Sequence, residues 1–121
     1  LANRATLTQL LIESPLGLHN LEAIAALPGV DMLAIGTNDL SAELGVPGDF
    51  RHPRVREAHD HALEVCARAG KPLAIGGIAD AAYSAELIRR GAAPFLMTGI
   101  DTDLLLSAAT ERVRLALASI A

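Results

Sequence analysis

Residues 30–41 read VDMLAIGTNDLS, an apolar run that ends in a glycine, a short polar turn and one carboxylate. Leu40 and Ser41 then begin a new element. This order is typical of a buried parallel strand that brings an acid to the edge of a sheet. In α/β proteins, ligands bind outside the carboxyl ends of such strands. The stretch therefore predicts an α/β fold and a candidate site at Asp39.

A second stretch of the same form lies upstream, where residues 9–12 read QLLI and are followed by Glu13. Glu13 and Asp39 are separated by one βα unit. Neighbouring strands lie about 4.8 Å apart, so both carboxylates can reach one cation. Hard oxygen ligands favour Mg²⁺ or Mn²⁺. The alternative is that either acid caps the helix that follows it or pairs with an arginine.

The rest of the chain alternates between strand-like and helix-like segments. The predicted strands cover residues 8–12, 32–35, 72–75 and 94–97. The predicted helices cover residues 18–27, 53–69, 79–90 and 102–120, with a short helical turn at 40–44. An alternating order of this kind indicates a parallel sheet.

Four βα units allow two architectures. Helices can flank both faces of an open, doubly wound sheet, or they can lie on one face as half of an eight-stranded barrel. Strands that are buried on both faces look alike in both architectures, so hydrophobic periodicity leaves the choice open.

Composition excludes several functions. The chain has 121 residues and a net charge of -4, and aromatic residues make up only 2%. Without a basic cluster or stacking aromatics, we expect no nucleic-acid partner. No apolar run is long enough for a membrane span, so no membrane partner is expected. Cys66 is the single cysteine, which favours a reducing cytoplasm. Because the sequence begins at Leu1 without a methionine, we expect it to be part of a longer one.

Six short motifs carry a family resemblance. They are LIESP at 11–15, PGVD at 28–31, IGTNDLS at 35–41, LGVPG at 44–48, HPRV at 52–55 and TGIDT at 98–102. In this order they closely resemble the C-terminal half of the pyruvate-forming class II aldolases. That family includes 4-hydroxy-2-oxoheptanedioate aldolase and 2-dehydro-3-deoxyglucarate aldolase, with citrate lyase β subunits as more distant relatives. The likeness extends from about residue 7 to the end of the chain.

The resemblance implies a (β/α)8 TIM barrel, of which residues 1–121 form the C-terminal half of a single domain. It implies a metal-dependent lyase that cleaves a 4-hydroxy-2-oxo acid to pyruvate and an aldehyde. The metal carboxylates of the family fall on Glu13 and Asp39, which would hold Mg²⁺ or Mn²⁺, with Co²⁺ as a third candidate. Gly36, Thr37 and Asn38 precede the predicted helical turn, so their backbone N–H groups could bind the pyruvate carboxylate.

The resemblance also assigns tasks to other parts of such an enzyme. The family's catalytic base, a His–Asp pair, and its substrate-clamping arginine belong to the N-terminal half, and no motif here matches them. We therefore expect no catalytic residue in this chain and no activity of the 121 residues alone. The family further implies a homo-oligomer in which the last helix is exchanged between barrels. The histidines all lie before or within predicted helices, and none is assigned a role in the site.

Two alternative functions remain. Residues 36–40 also resemble the Gly-Thr-Asn-Asp-Leu motif of phosphoenolpyruvate-using barrels, which would require a catalytic cysteine in a late loop, whereas Cys66 lies within a predicted helix. A stand-alone flavodoxin-like binding or signalling domain fits the length. A receiver domain of that kind would need paired acids after its first strand and a lysine after a late strand. Here Glu13 is a single acid, and Lys71 precedes its strand.

Overall fold

The computed structural model describes residues 5–78, 80–95 and 100–120. Its centre is a parallel sheet of three strands in the order β1-β2-β3. The strands are β1 (Gln9–Ile12), β2 (Met32–Gly36) and β3 (Leu73–Gly76). In the register of the sheet, Ile12 lies opposite Ile35 and Gly36 lies opposite Gly76. The carboxyl ends of all three strands therefore meet at one edge.

Six helices accompany the strands in the described part of the chain. They are α1 (Pro15–His19), α2 (Leu21–Ala25), α3 (Thr37–Glu43), α4 (Pro53–Ala69), α5 (Ala81–Arg89) and α6 (Asp101–Ala118). None of the helices formed by the described residues is long and apolar enough to cross a membrane.

Helix α4 has the limits that the sequence predicts. Pro53 occupies the first turn, where its missing N–H costs nothing, and the His52 side chain accepts a hydrogen bond from the Arg54 N–H at the cap. Gly70 ends the helix in the left-handed conformation with φ of 66°, which favours glycine because it has no Cβ. Local sequence signals at both ends thus fix this element.

The predicted helix at 18–27 is wrong in its limits, because the structure has two short helices there. The first begins earlier, at Pro15, since the Ser14 hydroxyl accepts a hydrogen bond from the Gly17 N–H and caps it. Asn20, with φ of -94° and ψ of 7°, interrupts the helix and connects it to the second one. The capping serine outweighs the apolar periodicity on which the prediction was based.

Three further limits differ from the prediction. Helix α3 begins at Thr37 rather than Leu40, so residues 37 and 38 are helical instead of preceding the helix. Helix α5 begins at Ala81 because the Asp80 side chain caps it by accepting from the Tyr83 N–H. Helix α6 begins at Asp101 rather than at residue 102, and Ile100 occupies its capping position.

The two described residues of the predicted fourth strand at 94–97 do not form a strand. Pro94 and Phe95 are not part of a strand, and residues 96 and 97 lie outside the described residues. The sheet of the described residues therefore has three strands.

The hydrophobic core covers one face of this sheet. Ile12, Leu33, Ile35, Leu73 and Ile75 belong to one buried cluster, to which α2, α4 and α5 all contribute. Side chains alternate between the two faces of a strand, so the residues between these core positions point to the other face. Helices that pack together on one face indicate the barrel-type arrangement rather than the doubly wound one.

Candidate metal and substrate site

A cavity of about 350 Å³ lies on the sheet face opposite the helices, at the carboxyl ends of the strands. The alternate residues of the sheet form its floor, and the loops after the strands form its rim. Its lining consists of Gln9, Leu11, Glu13, Ala34, Ile35, Gly36, Asn38, Asp39, Ala74, Ile75, Gly76, Gly77 and Phe95. Four of the five site residues predicted from the sequence line this cavity, and Thr37 does not.

Glu13 directly follows β1, and its side chain crosses the end of β2. A Cβ on Gly36 would overlap Glu13 Oε1 and would lie 2.7 Å from Glu13 Cγ. Real Cβ atoms essentially never approach another atom so closely. Gly36 thus provides the space in which the Glu13 carboxylate reaches over the neighbouring strand.

Asp39 lies in the first turn of α3, immediately after β2, and lines the same cavity. Among the described residues, neither the Glu13 nor the Asp39 carboxylate forms a hydrogen bond or an ion pair. Ser14 caps the helix after Glu13, and no side chain caps α3. Neither acid is therefore a helix cap or an arginine partner in the described structure, which leaves both free to bind a ligand.

The loop after β3 forms a third wall of the cavity. Gly77 has φ of 73°, and a Cβ on it would lie 3.0 Å from the Asn38 backbone nitrogen and 3.4 Å from the Asn38 side chain. Both the left-handed backbone and this close approach favour glycine at the position. The packing of Gly77 on Asn38 brings the ends of β2 and β3 together.

Thr37 faces away from the cavity into the core. Its hydroxyl Oγ1 lies 3.1 Å from His59 Nε2 in α4, and His59 Nδ1 lies 3.0 Å from the Tyr83 hydroxyl in α5. All three side chains are 0% exposed. Only the backbone N–H of Thr37 therefore remains available for the role in binding a substrate carboxylate that the sequence analysis gave it.

His59 was assigned no role in the sequence analysis, whereas the structure places it in the core between Thr37 and Tyr83. Burial lowers its pKa from 6.5 to about 4, and the nearby positive charges of Arg90 and Arg56 act in the same direction against the opposing charge of Asp60. The imidazole is therefore neutral near pH 7, with one donor and one acceptor nitrogen for two hydroxyl partners. The spacing of residues 55, 59, 62 and 66 indicates that His59 is buried, because these positions share one face of a helix.

The ionisable groups that line the cavity in the described chain are Glu13 and Asp39 alone. A cavity whose charges are two carboxylates attracts a cation. No group of three or more His, Cys, Asp or Glu side chains suited to a metal occurs among the described residues. Two oxygen donors do fit Mg²⁺ or Mn²⁺, since such ions commonly use one or two carboxylates and fill the other positions with water and substrate.

Comparison with known proteins points to one family. The model of the family described as HpcH/HpaI aldolase/citrate lyase matches residues 2–108. A hydroxypyruvate/pyruvate aldolase from Chromohalobacter salexigens is 43% identical over 102 residues, which are 84% of this chain and 39% of that protein. A 4-hydroxy-2-oxovalerate aldolase from Rhodococcus jostii is 45% identical over 94 residues, which are 77% of this chain and 35% of that protein.

Solved structures agree with the sequence comparison. An HpcH/HpaI aldolase from Desulfitobacterium hafniense superposes with a TM-score of 0.84 at 29% identity, over 94% of this chain and 44% of that one. An HpcH/HpaI aldolase/citrate lyase family protein from Burkholderia cenocepacia gives 0.82 at 33% identity, over 95% and 44%. The chain thus spans less than half the length of the relatives it matches. Its neighbours are TIM-barrel enzymes, which confirms the barrel-type α/β fold over an open flavodoxin-like sheet.

Proposed function

Because this chain belongs to the HpcH/HpaI aldolase/citrate lyase family, we propose that it is the metal-binding part of a class II aldolase. The reaction is the cleavage of a 4-hydroxy-2-oxo acid to pyruvate and an aldehyde, which makes the protein a carbon–carbon lyase. The observation that supports the proposal best is the pair of carboxylates, Glu13 and Asp39, which have no partner among the described residues and line one cavity. Named aldolases among the relatives support the reaction class.

Glu13 and Asp39 would hold the divalent cation, which we expect to be Mg²⁺ or Mn²⁺, with Co²⁺ as a third candidate. When bound there, such an ion offsets the negative charge that develops on the pyruvate part of the substrate as the carbon–carbon bond breaks. Gly36 shapes the place for the Glu13 carboxylate, because it leaves open the space that a Cβ would fill.

Gly36, Thr37 and Asn38 are the proposed contacts for the pyruvate carboxylate. Gly36 and Asn38 line the cavity next to Asp39, and Thr37 can contribute only its backbone N–H. Leu11 and Phe95 give the cavity an apolar side. We expect this side to exclude water from the carbon skeleton of the substrate, which strengthens the electrostatic interactions of the carboxylates.

The phosphoenolpyruvate-using alternative receives no support from Cys66. This thiol is buried in α4, away from the cavity, and burial raises its pKa to about 11. A thiol with a pKa this high carries very little thiolate near neutral pH, and the thiolate is the reactive form.

The partner that we propose, besides the small 2-oxo acid, is a second copy of the chain. Every residue of α6 is exposed in the structure. Its exposed apolar residues are Leu104, Leu105, Leu106, Val113, Leu115 and Leu117. An apolar surface of this kind marks an interaction site in a stable protein, and exchange of the last helix between barrels would cover it.

The metal site can be tested with isosteric substitutions that remove one charge each. We expect Glu13→Gln and Asp39→Asn to weaken Mn²⁺ binding, measured by calorimetry, at least about tenfold, because each removes an ionic oxygen ligand. Glu43→Gln is the matched control, since Glu43 is an exposed acid at the other end of α3, and it should bind Mn²⁺ as the unchanged protein does. Unaltered Mn²⁺ affinity in both variants would refute the assignment.

A further inference from the structure

We propose that His59 is a positioning residue for this site. Together with Thr37 and Tyr83 it forms a buried hydrogen-bonded row that fixes the start of α3, and with it Asp39 and Asn38. The inference rests on the proposed metal role of Asp39. It assigns to α4 and α5, which do not reach the cavity, a defined part in shaping the site.

The row connects three elements through their side chains. Thr37 is the first residue of α3, His59 lies in the middle of α4, and Tyr83 lies in the first turn of α5. The two contacts are 3.1 Å and 3.0 Å long, and each of the three side chains is 0% exposed. Buried hydrogen bonds hold their geometry well, because leaving a buried polar group unpaired costs about 1–3 kcal/mol.

The inner end of the row acts on the site through the backbone. Thr37 directly precedes Asn38 and Asp39, and no side chain caps α3. The Ser41 hydroxyl donates to the Asn38 carbonyl over 2.8 Å, but this bond lies within α3 itself. Among the described residues, Thr37 and His59 therefore form the one side-chain hydrogen bond that joins the start of α3 to another helix.

The outer end of the row is held by charged groups at the surface. The Tyr83 ring lies near two guanidinium groups, 5.0 Å from that of Arg51 and 5.2 Å from that of Arg56. Arg51 pairs with Asp80 over 2.7 Å, and Arg56 pairs with Glu86 over 2.8 Å. These two contacts and the hydrogen bond from the Tyr83 N–H to Asp80 hold Tyr83 in place beside His59.

Three substitutions, each of which removes one hydroxyl, distinguish an effect on metal binding from an effect on stability alone. Thr37→Val removes the inner hydroxyl without changing the shape of the side chain, and Tyr83→Phe removes the outer one. Ser84→Ala is the control, because its hydroxyl donates only to the Asp80 carbonyl, outside the row. Each variant is measured for Mn²⁺ affinity by calorimetry and for thermal stability, at a temperature where all variants are folded.

We expect Thr37→Val to weaken Mn²⁺ binding about three- to tenfold. Residues that orient a metal ligand directly typically change metal affinity by roughly 10–100-fold. We expect a smaller effect here, because Thr37 acts on Asp39 only through the backbone. Tyr83→Phe should weaken the binding less, Ser84→Ala should leave it unchanged, and Thr37→Ser, which keeps the hydroxyl, should restore it. If Thr37→Val loses stability but binds Mn²⁺ as the unchanged protein does, the row is structural only and the proposal is wrong.

A second pair of variants tests the same contact from His59, which keeps the proposal testable if Thr37→Val does not fold. The amide of His59→Gln lies near the place of Nε2 and can still reach Thr37, whereas the amide of His59→Asn lies near Nδ1 and reaches Tyr83. His59→Asn should therefore bind Mn²⁺ more weakly than His59→Gln, and equal affinities would contradict the proposal. If Glu13→Gln and Asp39→Asn also leave Mn²⁺ affinity unchanged, the metal site itself fails, which is a different result.

Discussion

The Glu13 side chain occupies the space that a Cβ on Gly36 would need, so a larger residue at position 36 would require that side chain to move. The contact joins the ends of β1 and β2, which are neighbours in the sheet. Gly36, the last residue of β2, thus leaves room for the carboxylate that follows β1.

Gly36→Ala should therefore displace the Glu13 carboxylate. We expect about tenfold weaker Mn²⁺ binding by calorimetry, which is the low end of the effect of residues that orient a metal ligand. Gly29→Ala is the control, because a Cβ there meets nothing within 4 Å. Full Mn²⁺ affinity in Gly36→Ala would mean that the Glu13 side chain can lie elsewhere and still bind.

The stability of the protein should depend on pH through His59. Its pKa is lowered from 6.5 to about 4 in the folded chain, so the unfolded chain takes up the proton first as the pH falls. The stabilisation is complete above about pH 6.5 and is lost progressively down to about pH 4, by up to about 3 kcal/mol.

Denaturant titrations between pH 4 and pH 7 measure this loss. His59→Gln has no group that titrates in this range at position 59, so its free energy of unfolding should fall less steeply between pH 6.5 and pH 5. His61→Gln is the control, because His61 is exposed on the same helix. Parallel curves for His59→Gln and the unchanged protein would show that the imidazole is not buried in its neutral form.

The exposed face of α6 should determine the oligomeric state. Substituting Leu105 and Leu117, which are 71% and 60% exposed, by glutamine should reduce the mass measured by light scattering at micromolar concentration. Arg112→Gln changes an exposed charge on the same helix and should leave the mass unchanged. A monomeric unchanged protein would exclude the exchange of this helix.

The 121 residues alone should release no pyruvate from a 4-hydroxy-2-oxo acid with Mg²⁺ or Mn²⁺. The described lining of the cavity contains no His, Lys or Arg, so apart from the two proposed metal ligands it offers no group to take the proton from the 4-hydroxyl. Such acid–base help is typically worth about 10²–10⁴-fold in rate. Turnover by this chain alone, measured with a coupled pyruvate assay, would show that it contains its own base.

Much of the described fold was predictable because its signals are local. The limits of α4 follow from Pro53 and Gly70, and the strands follow from apolar runs between breakers. The lengths of α1 and α3 were not predictable from periodicity, since a serine cap and a helix start directly after a strand decided them. The pairing of Glu13 with Asp39 at one cavity was predictable because parallel strands bring their carboxyl ends to one edge.

The direction in which Thr37 points was not predictable from its neighbours in sequence. It depends on His59, which lies 22 residues away along the chain, and on the start of α3 at Thr37. A threonine in a polar turn beside two site residues suggests an exposed role, whereas the helix turns its hydroxyl into the core. The row to Tyr83 thus required the tertiary structure.

The described strands stand in the sheet in the order in which the ribosome makes them. Each strand pairs with the one completed just before it, so the connections that must close are residues 13–31 and 37–72. The entropic cost of closing a connection rises only slowly with its length. Glu13 and Asp39 precede α4 and β3 in the sequence, so β1 and β2 can pair before those elements emerge from the ribosome. Nascent chains that are arrested soon after β2 emerges would already contain both proposed metal ligands.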